Sequence, residues 1–263
     1  MTSPDFLSTI RHESALFRVA LATATDRPVP TCPDWTTDDL LWHLTEVQWF
    51  WGTIVARNVE DPQSLQHPRR PEGRDALLAA FDSATAALTD ALGNTSAADP
   101  RWMWTPDDAL HTAGYITRRQ AHEALIHRVD AELTAETELS GIDPALAADG
   151  VDEIVEVMYG REHPLVTFAP TAGRVVELVA TDADRRWVLQ LGRETGTVPD
   201  SGAAIDDPNF RPAADATAVA TISGTVSDLD LWLWNRPTNG KLVGTGDRET
   251  LDAMHEILQE GLQ

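Results

Sequence analysis

Residues 119–132 have the sequence RQAHEALIHRVDAE, and this stretch decides the fold of the N-terminal half. In a helix, the positions spaced three and four apart form one inward-facing stripe. Here the stripe begins apolar and becomes polar where a core is expected, although its flanks stay small or apolar. Buried polar side chains need partners, water or a metal. The stripe consists of Ile116, Gln120, Glu123, His127 and Asp130.

Three earlier segments also place apolar residues at helical spacing. Prolines at 28, 30 and 33 predict a loop after the first segment, and Gly93 with Asn94 predicts the end of the third. Four helices of about 20 residues with moderate loops are typical of a four-helix bundle. The predicted helices cover about 6–21, 37–54, 72–92 and 109–133.

The pattern changes in the C-terminal half, where segments rich in Val, Leu and Trp alternate with helical ones. Strands are predicted at 174–180, 186–191, 217–223 and 242–246, the first two as a hairpin, and helices at 227–234 and 248–262. Strands mixed with helices after an all-helical half predict a smaller α+β domain. The expected domains are 1–150 and 151–263, with the change between about 140 and 165.

Composition narrows the possible partners. The 263 residues carry a formal charge of −22, which disfavours nucleic acids and anionic membrane surfaces. The sequence contains no apolar run of membrane-spanning length and no signal-peptide pattern. Its single cysteine, Cys32, excludes an internal disulfide. We expect a cytoplasmic monomer or homodimer that acts on a small molecule.

Glu123 and His127 are four residues apart, so they share one helix face. On the second helix, His43 follows Leu40 by three residues and precedes Val47 by four, so it faces the same core. Together the three side chains offer the N and O ligands of a catalytic zinc site, which leaves a fourth position open. Two other interpretations stay open: His43 as a satisfied core histidine, and Glu123–His127 as a solvated helix pair.

The sequence also predicts roles for other residues of the fourth helix. His122 and His127 are five apart and point about 140° away from each other, so the protease signature with two histidines four apart does not fit. Arg118, Arg119 and Arg128 lie off the polar stripe and are expected to be solvated or packed at the domain seam. Asp130, one turn beyond His127, is either an acceptor for the ring of a ligand histidine or part of a helix salt bridge.

Several motifs resemble the mycothiol-dependent maleylpyruvate isomerase family, a group of actinobacterial DinB-like metal-binding bundles. One is VPTCPDWT at 29–36 followed by DLLWHL at 39–44, and the other is the stretch at 119–132. Further segments are similar to the sterol-carrier-like domain that many members carry, namely 222–225, 228–229, 233–236 and 246–247. The resemblance spans nearly the whole chain.

The resemblance implies a DinB-like four-helix bundle followed by an α+β, sterol-carrier-like domain. It implies His43, Glu123 and His127 as ligands of a divalent metal, for which His₂Glu suits zinc, and mycothiol as thiol cosubstrate. A metal-bound thiolate would add to a cis double bond conjugated to a carbonyl, and elimination after rotation would give the trans isomer. Arg236 matches an arginine that would clamp a substrate carboxylate, or else it is a surface arginine.

The same three-ligand metal site would also suit S-transfer of the thiol to a small electrophile. Two alternatives belong to other classes. One is a metal-binding module of this fold without turnover. The other is a metal hydrolase that works without any thiol.

Overall fold

A computed structural model describes residues 4–162, 165–197 and 202–260 of the chain. The first compact unit, Pro4–Gly141, contains four long helices, as predicted. Asp5, Thr36 and Thr112 each cap a helix by accepting a backbone N–H with the side chain. The helices are α1 (Phe6–Thr23), α2 (Thr37–Arg57), α3 (Arg74–Gly93) and α4 (Ala113–Ala135).

The bundle packs α1 against α4 and α2 against α3. One cluster of its apolar core combines predicted stripe residues of the first three helices with Ala131 of α4, and Ile116, Leu125 and Val129 of α4 are also fully buried. Burial of such side chains is the main favourable term in forming the bundle. The core includes Phe17, Leu21, Leu40, Leu44, Leu77 and Phe81.

The proline-rich segment between α1 and α2 is more ordered than predicted. Two short strands, β1 (Pro28–Val29) and β2 (Cys32–Thr36), form an antiparallel ribbon there. A two-stranded ribbon leaves strand edges free, so it tolerates proline better than the middle of a sheet does. The ribbon leads directly into α2 and brings Thr31 towards α4.

The second compact unit begins at Ile142 and is built on a five-stranded sheet with the order β5-β4-β3-β6-β7. Strands β3 and β6 are parallel, and the other neighbours are antiparallel. The strands are β3 (Val166–Ala180), β4 (Arg186–Thr197), β5 (Ala204–Pro212), β6 (Ala220–Gly224) and β7 (Val243–Gly246). Three helices accompany them: α5 (Pro144–Glu153), continued by one π-helical turn to Met158, α6 (Val226–Leu233) and α7 (Arg248–Glu260).

The predicted hairpin is confirmed as β3 and β4, although both strands are longer than expected, with a register shift between Pro170 and Val175. The sequence analysis missed β5. This edge strand has the sequence AIDDPNFRP, whose acids and prolines hide any alternating apolar pattern. The core of this unit joins sheet residues such as Val176 and Leu189 to helix residues such as Val151 and Leu229.

The two compact units divide between Gly141 and Ile142. Helix α5 packs on α6 in the second unit, and the expected boundary at 150 falls inside α5. Gly150 allows this packing, because a Cβ there would lie 2.6 Å from a carboxylate oxygen of Asp230. Among the described helices, none combines the length and apolarity needed to cross a membrane.

Candidate metal centre

The start of α2 positions His43. Thr36 and Asp39 form a capping box, in which each side chain accepts from the backbone N–H of the other residue, so the first turn is held firmly. His43 follows one turn after Asp39. The ring of Trp35, from strand β2, lies against the His43 ring with centroids 4.7 Å apart. The ribbon and the helix cap therefore fix where this imidazole lies.

Helix α4 supplies the other two side chains of the site. His127 Nε2 lies 3.1 Å from Glu123 Oε1 and 3.1 Å from His43 Nε2. His43 Nε2 is 3.7 Å from the same Glu123 oxygen. The structure thus brings the three predicted residues together, with one potential ligand atom from each and all three atoms within 4.8 Å of one another.

The cluster lies at the boundary between the bundle interior and solvent. The exposed fraction of the side chain falls from 36% for His43 to 21% for Glu123 and 11% for His127. A small molecule can therefore approach from the side of His43, while the carboxylate and the second ring are backed by protein.

The charges of Glu123 and His127 depend on the groups around them. Burial opposes the charging of the His127 ring, but the carboxylates of Asp130 and Glu123 outweigh it and raise the pKa of His127 to about 9. Burial also raises the pKa of Glu123, but hydrogen bonds to His127 and His43 outweigh burial and hold it well below its usual value. At neutral pH the pair therefore carries a proton on His127, which a divalent cation would replace.

Asp130 orients the His127 ring, as one of the two predicted interpretations has it. Its carboxylate, with no exposed surface, accepts from His127 Nδ1 at 3.0 Å and from the Thr31 hydroxyl at 2.6 Å. Fixing the proton on Nδ1 leaves Nε2 to face Glu123 and His43, as metal-binding histidines require. Thr31 belongs to the β1–β2 ribbon, so the proline-rich motif reaches the site through this hydrogen bond.

Arg119 is the site residue that the sequence analysis missed. It was expected to be solvated or packed away from the polar stripe, but its Nη2 donates to Glu123 Oε2 at 2.9 Å from a side chain only 6% exposed. The helix phase gave the direction of its Cα–Cβ bond, whereas the long side chain reaches one turn along the helix. The signal available was the i,i+4 spacing of Arg119 and Glu123.

Two other sequence expectations lie outside the cluster. His122 is buried and its ring meets Phe6 edge-on, with centroids 6.0 Å apart. Arg236 lies in the second unit, just beyond α6, where Asn235 has a left-handed backbone. The Arg236 guanidinium donates to the Trp234 carbonyl at 2.7 Å. Its assignment as a carboxylate clamp stays a prediction.

The donor set fits a divalent cation. Two imidazole nitrogens and one carboxylate oxygen converge, and each histidine presents the same ring atom, Nε2, to the centre. Nitrogen and oxygen ligands of this kind suit Zn²⁺, and Fe²⁺ or Ni²⁺ would also accept them. The chain thus belongs to a class of protein in which a helical bundle carries a candidate metal site and an α+β domain follows.

The chain belongs to the mycothiol-dependent maleylpyruvate isomerase family. The model of the mycothiol maleylpyruvate isomerase N-terminal domain matches residues 7–132. The model of the MDMPI C-terminal domain matches residues 145–253. The first match contains all three clustered side chains, and the second contains Arg236. The resemblance inferred from the motifs is confirmed.

Two solved structures are similar to this chain. One is the crystal structure of the mycothiol-dependent maleylpyruvate isomerase, with a TM-score of 0.60 and 17% identity over 94% of this chain and 97% of that chain. The other is a histidine-to-alanine mutant of an enzyme with the same name, with a TM-score of 0.59 and 16% identity over the same shares. At these identities the likeness shows a shared fold. No curated protein sequence matches significantly.

Proposed function

We propose that this protein is a metal-dependent, mycothiol-dependent enzyme that isomerises a cis double bond conjugated to a carbonyl. One observation carries the proposal: His43 Nε2, Glu123 Oε1 and His127 Nε2 lie within 4.8 Å of one another on two helices. Family membership supplies the thiol and the class of reaction. We propose Zn²⁺ as the native ion because the donors are two imidazoles and one carboxylate.

In this proposal His43, Glu123 and His127 would hold the ion. A divalent cation bound there would supply the positive charge that keeps a thiol ionised at neutral pH. Asp130 keeps a proton on Nδ1 of His127 and so directs Nε2 inwards. Trp35 packs against the His43 ring and covers one side of it. These residues create a fixed, partly open site at which a nucleophilic sulfur can bind.

The isomerisation needs no reactant besides the thiol and the substrate. A thiolate forms a bond to one alkene carbon, and the double-bond electrons move towards the conjugated carbonyl oxygen. The remaining carbon–carbon bond rotates. Elimination then breaks the carbon–sulfur bond, returns the electrons to the alkene and releases the thiolate. For the substrate we propose a small carboxylate-bearing enone, with Arg236 as the group that binds its carboxylate bidentately.

The test compares four proteins in one assay: wild type, His127→Ala, Arg236→Ala and His12→Ala. His12 is an exposed histidine of α1 and serves as the matched control. Each full-length protein is supplied with Zn²⁺ and mycothiol, and loss of maleylpyruvate absorbance is followed. Elemental analysis gives the metal content, and circular dichroism gives the helix content.

We expect wild type and His12→Ala to bind one metal ion and to turn over. His127→Ala should stay folded, lose the ion and lose activity by more than about a hundredfold. Arg236→Ala should keep the ion and show a raised KM for carboxylate substrates. Full metal occupancy in His127→Ala would reject the ligand assignment, and unchanged kinetics would reject the role of Arg236.

The alternatives correspond to other outcomes of this assay. Formation of a stable thiol adduct with electrophiles would make the protein an S-transferase. Turnover without any thiol would make it a metal hydrolase. Stoichiometric metal without activity on a broad electrophile panel would make it a binding module.

A further inference from the structure

The two oxygens of the Glu123 carboxylate have different surroundings. Oε1 faces the two histidines, at 3.1 Å from His127 Nε2 and 3.7 Å from His43 Nε2. Oε2 faces the other way along α4 and accepts from Arg119 Nη2 at 2.9 Å. One oxygen therefore belongs to the candidate metal site, and the other belongs to a buried ion pair.

This division restricts how Glu123 can bind a cation. A carboxylate can offer one oxygen or both, and the choice changes the number of coordination positions left for other ligands. Offering both oxygens would bring the cation to the oxygen that already accepts a charge-assisted hydrogen bond from a guanidinium only 6% exposed, and the two positive charges would compete for it. Breaking a pair in such surroundings is costly, because it leaves a buried charge without its partner.

We propose that Arg119 is a positioning residue that limits Glu123 to one ligand oxygen and so keeps coordination positions open for the thiol. The proposal rests on the metal site of the proposed function and adds a residue outside the predicted ligand set. In this proposal Arg119 acts through Glu123, to which its Nη2 donates.

Arg119 also changes the charge of the site. Two neutral imidazoles and one carboxylate around a divalent cation leave a net charge of about +1, the Asp130 carboxylate on His127 lowers it to about 0, and the guanidinium beside Glu123 restores about +1. The whole chain carries −22, so a thiolate or a carboxylate needs a local positive centre of this kind. The same side chain thus restricts the ligand and favours an anion.

The experiment uses Co²⁺ as a spectroscopic probe in the full-length protein. Arg119→Met removes charge and donor at similar length, Arg119→Lys keeps a charged donor, and Arg118→Met removes an equal charge from a neighbouring position about 100° around the helix. The visible d–d absorption of Co²⁺ reports coordination number, because four-coordinate sites absorb more strongly than five- or six-coordinate ones. Mycothiol is then titrated into each Co²⁺-loaded protein.

We expect Arg119→Met to bind one Co²⁺ with weaker visible absorption than wild type, because the freed Oε2 also coordinates. Its dissociation constant for mycothiol should rise by about tenfold. Arg119→Lys and Arg118→Met should resemble wild type. Circular dichroism checks folding, and Arg119→Gln, neutral but polar, replaces the methionine variant if that variant does not fold.

Two results would overturn the proposal. One is a neutral variant with the wild-type spectrum and wild-type affinity for mycothiol. The other is a folded neutral variant that no longer binds Co²⁺, which would make Arg119 a requirement for metal binding itself. Failure of wild type to bind Co²⁺ or Zn²⁺ would instead reject the proposed function, so the two failures are distinguishable.

Discussion

Two neighbouring residues of α4, His127 and Arg128, belong to two clusters of charged side chains with different properties. Arg128 has no exposed surface, and it donates to Glu13 and Glu132, each at 2.8 Å, and to the Ser140 carbonyl. His127 lies in a cluster that becomes progressively more exposed towards His43. Both clusters place charged side chains inside the bundle, so burial of charge alone does not distinguish a structural group from a functional one.

The difference lies in how donors and acceptors are arranged. Around Arg128, both carboxylates meet a guanidinium donor, and Glu132 also accepts from the Ser140 backbone and hydroxyl. That network ties α1 and α4 to the segment that ends the bundle, and both of its carboxylates have donors, although Nη2 of Arg128 is buried there without a hydrogen-bond partner among the described residues. Around His127, two ring nitrogens and a carboxylate oxygen converge on one another. Ring nitrogens and a carboxylate oxygen that converge in this way suit a cation, which supports the proposal that this second cluster is the functional one.

The largest effect on stability is expected from breaking the cluster around Arg128. Arg128→Met leaves Glu13 and Glu132 buried without their cation and should lower the free energy of unfolding by about 3–5 kcal/mol. Urea unfolding in the presence of EDTA measures this without any contribution from bound metal. The control is Arg18→Met, which removes the exposed ion pair with Asp82 and should cost less than about 1 kcal/mol. Equal losses of unfolding free energy in both variants would contradict the distinction between the buried cluster around Arg128 and an exposed ion pair.

A smaller effect is expected where a side chain is as buried as Arg128 but serves the other cluster. Asp130→Asn removes the carboxylate charge from His127 Nδ1 and should weaken Zn²⁺ binding by about 10–100-fold. Competition with a chromophoric chelator gives the affinity. Thr31→Val removes only the second hydrogen bond to Asp130 and should weaken binding by less than about tenfold. Wild-type affinity in Asp130→Asn would mean that Asp130 is structural, like Arg128.

The smallest effect is expected at a partly exposed carboxylate, Asp39, that belongs to neither cluster. Hydrogen bonds from the side chains of Thr36 and Arg70 lower the pKa of Asp39 to about 2, from an ordinary value of 3.8. A lowered pKa stabilises the fold at pH values above the ordinary one, and the benefit is lost as the pH falls through the native value. Asp39→Ala should therefore cost about 1 kcal/mol near pH 6, and the difference should shrink below pH 3.8 and vanish near pH 2.

Urea titrations of wild type and Asp39→Ala across this pH range measure the effect. Asp34→Ala, which removes an exposed acid just before the cap, is the control for net charge. A stability difference that stays constant down to pH 2 would show that the capping box does not depend on the ionised carboxylate.

Much of the fold was predictable because its signals are local. Helices α1 to α3 carry apolar stripes and α4 carries a stripe that turns polar, with side-chain caps or proline- and glycine-rich ends. The β3–β4 hairpin has an acidic turn between two strands that contain Val, Leu and Trp residues. Strand β5 was missed because an edge strand with acids and prolines carries no such pattern. The ribbon at 28–36 was missed because prolines predict a loop, and only pairing within the ribbon makes strands of it.

The sequence by itself determined which residues share a helix face, because backbone geometry sets that relation within one helix. It therefore singled out Glu123, His127 and, on a separate helix, His43. Only the tertiary structure decided that the two helices bring these side chains within ligand distance and that Thr31 reaches Asp130 from a distant ribbon. It also decided that Arg119 holds one oxygen of Glu123, because the reach of a long side chain depends on the packing around it and not on helix phase.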